Sequence, residues 1–186
     1  DACARRIVQY FGLRLFRRPL TSTETHRFTA AASESQRKLD GFYDGVRLAL
    51  GGMLTAPDFL FRIERVEHER GGKLGLDGYS KATRLSYFLT DSTPDDILLR
   101  AAAKGELDST AGLRKQTERL VGSSNFERGV RAFFWDMLAF DTFPDLAKDP
   151  VIYPAYSAHV AADAQEQTMR TIVDQLIARN GDYREL

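Results

Sequence analysis

Residues 79–107 read YSKATRLSYFLTDSTPDDILLRAAAKGEL, and this stretch decides the fold class. Tyr79, Ala82, Leu85, Phe88 and Leu89 recur at helical spacing, and the run breaks near Asp91. Thr93 is the expected N-cap of a following helix, because its hydroxyl can accept from a free first-turn amide. Pro94 at N1 has no amide to leave unpaired, and Asp95 and Asp96 put negative charge at the positive end of the helix dipole. Gly105 is the expected stop, since glycine enters the left-handed conformation without steric cost. Two helices and a capped corner, without period-two alternation, point to a helical protein.

Upstream the same signals repeat. Ile7, Val8, Phe11 and Leu15 mark a first helix that stops at Arg17-Arg18-Pro19. Thr21 and Glu24 stand three apart as a capping box for a second, weakly amphipathic helix toward Leu39. Phe42, Val46, Ala49, Leu50, Met53 and Leu54 form a strong apolar stripe, and Pro57 opens a short new element before FLFRIE. Between Glu67 and Gly78 four glycines and a charged run mark a linker loop. The expected organisation is therefore an N-terminal module over 1–66, a linker over 67–78 and a second module over 79–186.

Downstream, Leu113, Leu120 and Val121 lie on one helix. Ser124 with Glu127 opens another, whose Phe126, Val130, Phe133, Phe134, Met137 and Leu138 predict a core position. Pro144, Pro150 and Pro154 punctuate an irregular connector, after which Val160, Ala164, Thr168, Ile172 and Leu176 mark a long last helix. The fold class is all-α, a bundle of about seven or eight helices with almost no strand.

Charge narrows the function. The chain's 186 residues carry 26 basic and 26 acidic side chains, so it lacks the net positive field of a general nucleic-acid or anionic-membrane binder. A single cysteine, Cys3, excludes an internal disulfide or a four-thiolate zinc site within this stretch. No apolar run approaches the roughly 20 residues that span a bilayer, and DACARRIVQYFG has no signal-peptide core. Phosphate loops, nucleophile elbows and Cys-His clusters are absent, and the aromatics do not alternate with basic residues as a stacking platform would.

Four groups of residues remain as candidates. Arg17 and Arg18, at the end of the first helix, suit its dipole or an anion. Glu64 and Arg84 would form a buried ion pair between the two halves or, more sharply, a catalytic carboxylate held by arginine. Asp95 and Asp96 project about 100° apart on a helix, which argues against a shared two-carboxylate site. His159, Asp163 and Glu166 fall at i, i+4 and i+7, where they could converge on a cation, although no HExxH pattern accompanies them. His26, His68 and Cys3 read as ordinary surface side chains.

The segments FRRPLTSTE, LTAPDFLFRIE, RLSYFLTDSTPDDILLRAAAKGEL and KDPVIYPAYSAHVAADAQEQT resemble the central helical modules of the large planctomycete-type cytochrome-c-associated proteins, which are domains of unknown function. The resemblance runs from about Ala4 to the end. One position departs from it: the family commonly has Trp after SYFL, where this chain has Thr90. The resemblance implies an exported, periplasmic or cell-envelope setting. It also implies further modules beyond Leu186, a c-type haem in a neighbouring domain and none in this chain, an electron-transfer neighbour, and partners among the domains of the same polypeptide. It transfers no catalytic role to Arg17, Arg18, Glu64, Arg84, Asp95 or Asp96.

Three functional readings follow. The first is a helical scaffold or interaction module of a larger exported protein. The second is part of a redox or polysaccharide-processing enzyme with a cleft lined by acidic residues and arginine. The third is a metal-binding helical domain built on His159, Asp163 and Glu166.

Overall fold

The structure, a computed structural model, describes residues 2–39, 41–68, 72 and 74–186, with side chains throughout except at 35–39. It is all-α apart from one small hairpin. The chain divides into two compact units, the first reaching to Tyr87 and including Thr93–Thr117, the second made of Phe88–Ser92 and Glu118–Leu186.

The first unit begins with α1 (Ala2–Leu15), α2 (Ser22–Leu39), α3 (Phe42–Leu54) and the single turn α4 (Pro57–Leu60). Its core is Ala4, Val8, Phe16, Phe28, Ala32, Ala49 and Met53, with Phe16 and Phe28 meeting edge to face at 6.0 Å. The buried line of α1 is Ala4, Val8 and Gly12, whereas sequence periodicity favoured Ile7, Phe11 and Leu15. Close approach explains the rotation: a Cβ on Gly12 would lie 2.4 Å from the Leu20 side chain. In α3 the buried residues are Gly45, Ala49 and Met53, and Leu54 of the expected stripe is exposed.

The stretch expected as a loop instead contains β1 (Val66–His68) paired antiparallel with β2 (Leu74–Leu76), in the register Val66↔Leu76 and His68↔Leu74. β-Branched and aliphatic side chains at Val66, Leu74 and Leu76 favour such a pairing, and Gly72 has φ 79°, a region open to glycine.

Then come α5 (Gly78–Thr90), α6 (Asp96–Ala103), a 3₁₀ turn (Glu106–Asp108) and α7 (Thr110–Val121). Asp77 Oδ1 accepts from the Ser80 amide at 2.6 Å, which starts α5. Ala82, Ser86 and Leu89 are buried along α5, but Phe88 of the expected stripe is 73% exposed. The N-cap of α6 is Asp95, not Thr93: its backbone is extended and Oδ1 accepts from the Leu98 amide at 2.8 Å. A carboxylate satisfies both the free amide and the dipole, so it displaces the hydroxyl two residues earlier. Gly105, at φ 68°, follows the end of α6.

The second unit holds α8 (Phe126–Met137), a 3₁₀ turn (Phe140–Asp145) and α9 (Ala158–Val173), which continues into a π turn (Asp174–Ala178). Its core is Phe134, Phe140, Met169 and Ile172, supported by Val130, Phe143 and Leu176. Asn125 occupies the N-cap of α8 without a side-chain bond, so the expected Ser124–Glu127 box does not form; Glu127 accepts from Arg131 at 2.7 Å instead. Of the apolar residues expected to make α8 a core helix, Phe134 is buried, while Phe133 and Met137 are 56% and 61% exposed. The other buried position is Gly129, where a Cβ would stand 2.1 Å from the Leu89 carbonyl oxygen. Ser157 caps α9, whose buried line is Ala161, Met169 and Ile172.

Formal charge separates the units. The first carries 19 basic and 14 acidic side chains, and the second 7 basic and 12 acidic.

Candidate functional site

A connected group of charged side chains forms where α1 ends. Arg17 sits in the left-handed region at φ 58°, a conformation that costs a non-glycine residue roughly 1–2 kcal/mol. Its guanidinium donates to the carbonyl oxygens of Asp58, Phe59 and Phe61, the last at 2.8 Å, and so ties the end of α1 to α4. Three carbonyl acceptors on one buried guanidinium offset that backbone cost.

Arg18, 8% exposed, makes a two-pronged pair with Glu24, at 2.9 Å to Oε2 and 2.8 Å to Oε1. It also donates to Asp58 Oδ1 at 2.6 Å, and that oxygen receives Arg65 Nη2 at 2.9 Å. Glu24 closes the capping box as well, taking the Thr21 amide at 2.8 Å while its own amide donates to Thr21 Oγ1 at 3.2 Å. One carboxylate thus starts α2 and anchors the arginine that follows α1.

The electrostatics follow from this geometry. The hydrogen bonds from Arg18, opposed by partial burial and helped by Thr21, bring the Glu24 carboxyl down to about 2. Arg18 is correspondingly held more firmly protonated, chiefly by Glu24. The space left beside Arg17, Arg18, Asp58, Arg65 and Tyr79 is about 20 Å³. Small-molecule sites run to roughly 300–1,000 Å³, so this cleft matches a structural node.

The remaining candidates fall apart from the node. Glu64 accepts from Arg84 Nε at 2.8 Å and Nη2 at 3.0 Å, but the two side chains are 41% and 65% exposed, so the expected burial is absent. Asp95 and Asp96 have separate roles: Asp95 caps α6, and Asp96 accepts from Arg14 Nη2 at 2.9 and 2.8 Å. His159, Asp163 and Glu166 are exposed on α9. Glu166 is engaged by Arg170 at 2.7 Å and Arg131 at 3.5 Å, and the Arg170 bond leads in lowering its carboxyl below the usual range. Among the described residues no group of three or more His, Cys, Asp or Glu side chains is set to hold a metal ion. His26, His68 and Cys3 are exposed.

Sequence reasoning did not single out Arg14, Asp58 and Arg65. Asp58 lies 40 residues from Arg18, and neither position has a local pattern that names the other. A broad trough of about 1180 Å³ also lies along α1 and α2, lined by Arg5, Thr25, His26, Thr29 and Glu34.

The chain belongs to the family described as PSD4, protein of unknown function (DUF1592), whose model matches residues 76–186. A second model, PSD5, protein of unknown function (DUF1595), matches residues 3–64. No curated protein and no solved structure matches the chain. The first compact unit contains all of the PSD5 match and also the part of the PSD4 match from residue 76 to Tyr87 and from Thr93 to Thr117. The ion pairs Glu64–Arg84 and Arg14–Asp96 link the two matched segments within that unit.

Proposed function

We propose that the chain is a helical scaffold or interaction module of a larger exported, cytochrome-c-linked protein. Its sequence modules are 1–66 and 79–186, with 67–78 between them, and its partners are neighbouring domains of the same polypeptide. The observation that carries this reading is the Arg17–Arg18 node, where cations and carboxylates engage one another and backbone carbonyls around a space of about 20 Å³. Charges arranged this way hold segments together and leave no room for a substrate. Membership of a family of unknown function agrees with this reading, and export, the cell-envelope setting and a haem-bearing neighbour rest on the resemblance described above. Among the described residues no helix is long and apolar enough to cross a membrane.

The test is redox-difference spectroscopy with parallel metal analysis on this chain and on the natural protein that contains it. The reading expects a haem signal in the longer protein and neither haem nor stoichiometric metal here. Metal or pigment bound to this chain in stoichiometric amount would overturn it.

A further inference from the structure

Asn180 and Gly181 follow the π turn that continues α9. Asn180 is one of two asparagines in the chain, and the one followed by glycine. It is exposed and stands in the left-handed region at φ 49°, which asparagine tolerates better than most side chains. Its carboxamide makes no hydrogen bond among the described residues. The next amide is held, because Gly181 N–H donates to the Gln175 carbonyl oxygen at 2.8 Å. Gly181 also packs closely on that residue: a Cβ would lie 2.4 Å from Gln175 Nε2. The same Nε2 donates to the Asp182 carbonyl oxygen at 3.4 Å and to Glu185 Oε2 at 2.9 Å, so Gln175 holds this segment through both its main chain and its side chain.

We infer that Asn180 is a deamidation site that the fold holds shut through Gln175, and that its conversion to isoaspartate frees residues 182–185 from Gln175. The Gly181 main-chain nitrogen attacks Asn180 Cγ. The new N–Cγ bond closes a five-membered imide, the Cγ–Nδ2 bond breaks, and the proton lost by the nitrogen leaves with ammonia. Water then opens the ring at either carbonyl, giving aspartate or, with the main chain rerouted through Cγ, isoaspartate. Glycine favours the attack because no side chain shields its nitrogen. In the folded chain that nitrogen is fixed and its proton is committed to the Gln175 carbonyl, so the reaction waits on local opening of the turn. Isoaspartate adds a methylene to the main chain, which carries the Gly181 amide away from its acceptor and breaks the close contact with Gln175.

The test holds the full chain in mildly alkaline buffer with and without urea. Mass spectrometry of proteolytic peptides follows the conversion, with electron-transfer fragmentation separating isoaspartate from aspartate. Asn180 should convert roughly tenfold or more faster in urea, a factor set by the free energy of opening the turn. Asn125, whose successor Phe126 is bulky, should convert far more slowly than Asn180 in urea. Gln175→Ala, with unchanged circular dichroism, should raise the native rate and leave the urea rate as it is. Isoaspartyl chains made in urea and refolded should lose hydrogen-exchange protection at the Gly181 and Glu185 amides. Asn180→Asp, which carries the charge without the added methylene, should keep it. Equal native and urea rates, equal conversion of Asn125 in urea, or a parental native rate in Gln175→Ala would each overturn the proposal. So would parental protection in the isoaspartyl chains or lost protection in Asn180→Asp.

Discussion

In the first unit carboxylates engage the unit's own arginines, while along the end of α8 and the turn after it the second unit leaves three exposed aspartates without a cation among the described residues. In the first, Glu24, Asp58, Glu64 and Asp96 each hold an arginine. In the second, Glu127 and Glu166 are similarly engaged, but Asp136, Asp141 and Asp145 are not. Their packing differs too. The core of the first unit mixes Ala4, Ala32 and Ala49 with Val8, Phe16, Phe28 and Met53, whereas that of the second is the larger side chains Phe134, Phe140, Met169 and Ile172. Engaged charge ties segments of a fold together, whereas exposed charge without a partner contributes little to stability.

The largest expected effect is at Arg18. Its replacement by alanine leaves Glu24 and Asp58 without their shared cation, and losing one partner of a buried pair costs about 3–5 kcal/mol. Urea denaturation should show a large fall in midpoint; a change under about 1 kcal/mol would break the contrast, because the node would then be ornamental.

Gly129→Ala comes next and probes the second unit. Its new Cβ would meet the Leu89 carbonyl oxygen at 2.1 Å, a backbone atom that cannot simply turn aside. Overpacking of this kind costs about 1–3 kcal/mol, readable by thermal unfolding with Trp135 emission as the local probe. An unchanged melting temperature would mean that the close approach does not support this unit.

Acid sharpens the difference. Because the folded Glu24 carboxyl titrates near 2, below the ordinary glutamate value of 4.5, its contribution is present above about pH 4.5 and lost as pH falls toward 2. Glu24→Gln should flatten stability over that window, and the parent's slope surviving in the variant would remove Glu24 from the explanation. The smallest effect belongs to the exposed Glu64–Arg84 pair, whose disruption by Arg84→Ala should cost at most about 1 kcal/mol and less in high salt. A larger, salt-independent loss would show that this pair, and not the node, joins the matched segments.

Local signals placed most helix boundaries. Thr21 with Glu24, Pro57 and Gly105 each act within one turn of chain, so a sequence displays them directly. Which face is buried was harder to see, because bulk marks hydrophobicity while close helix contact selects Ala4, Gly12, Gly45 and Ala49. At the α6 corner three cap-forming residue types compete, and only the backbone decides for Asp95 over Thr93. The hairpin at Val66–Leu76 was hidden by its glycines and charges, which read as loop. Arg17 and Arg18 stood out from their position, but their acceptors on α4 are set by the tertiary fold.

The claim at the centre is that the Arg18 node holds one folding unit that runs past the PSD5 match and through Thr117. Hydrogen exchange of the full chain, read by mass spectrometry in the parent and in Arg18→Ala, tests it most directly. The expected result is a loss of protection both in α1–α3 and in α5–α6. Loss confined to residues before Glu64, with α5 and α6 protected as in the parent, would contradict it.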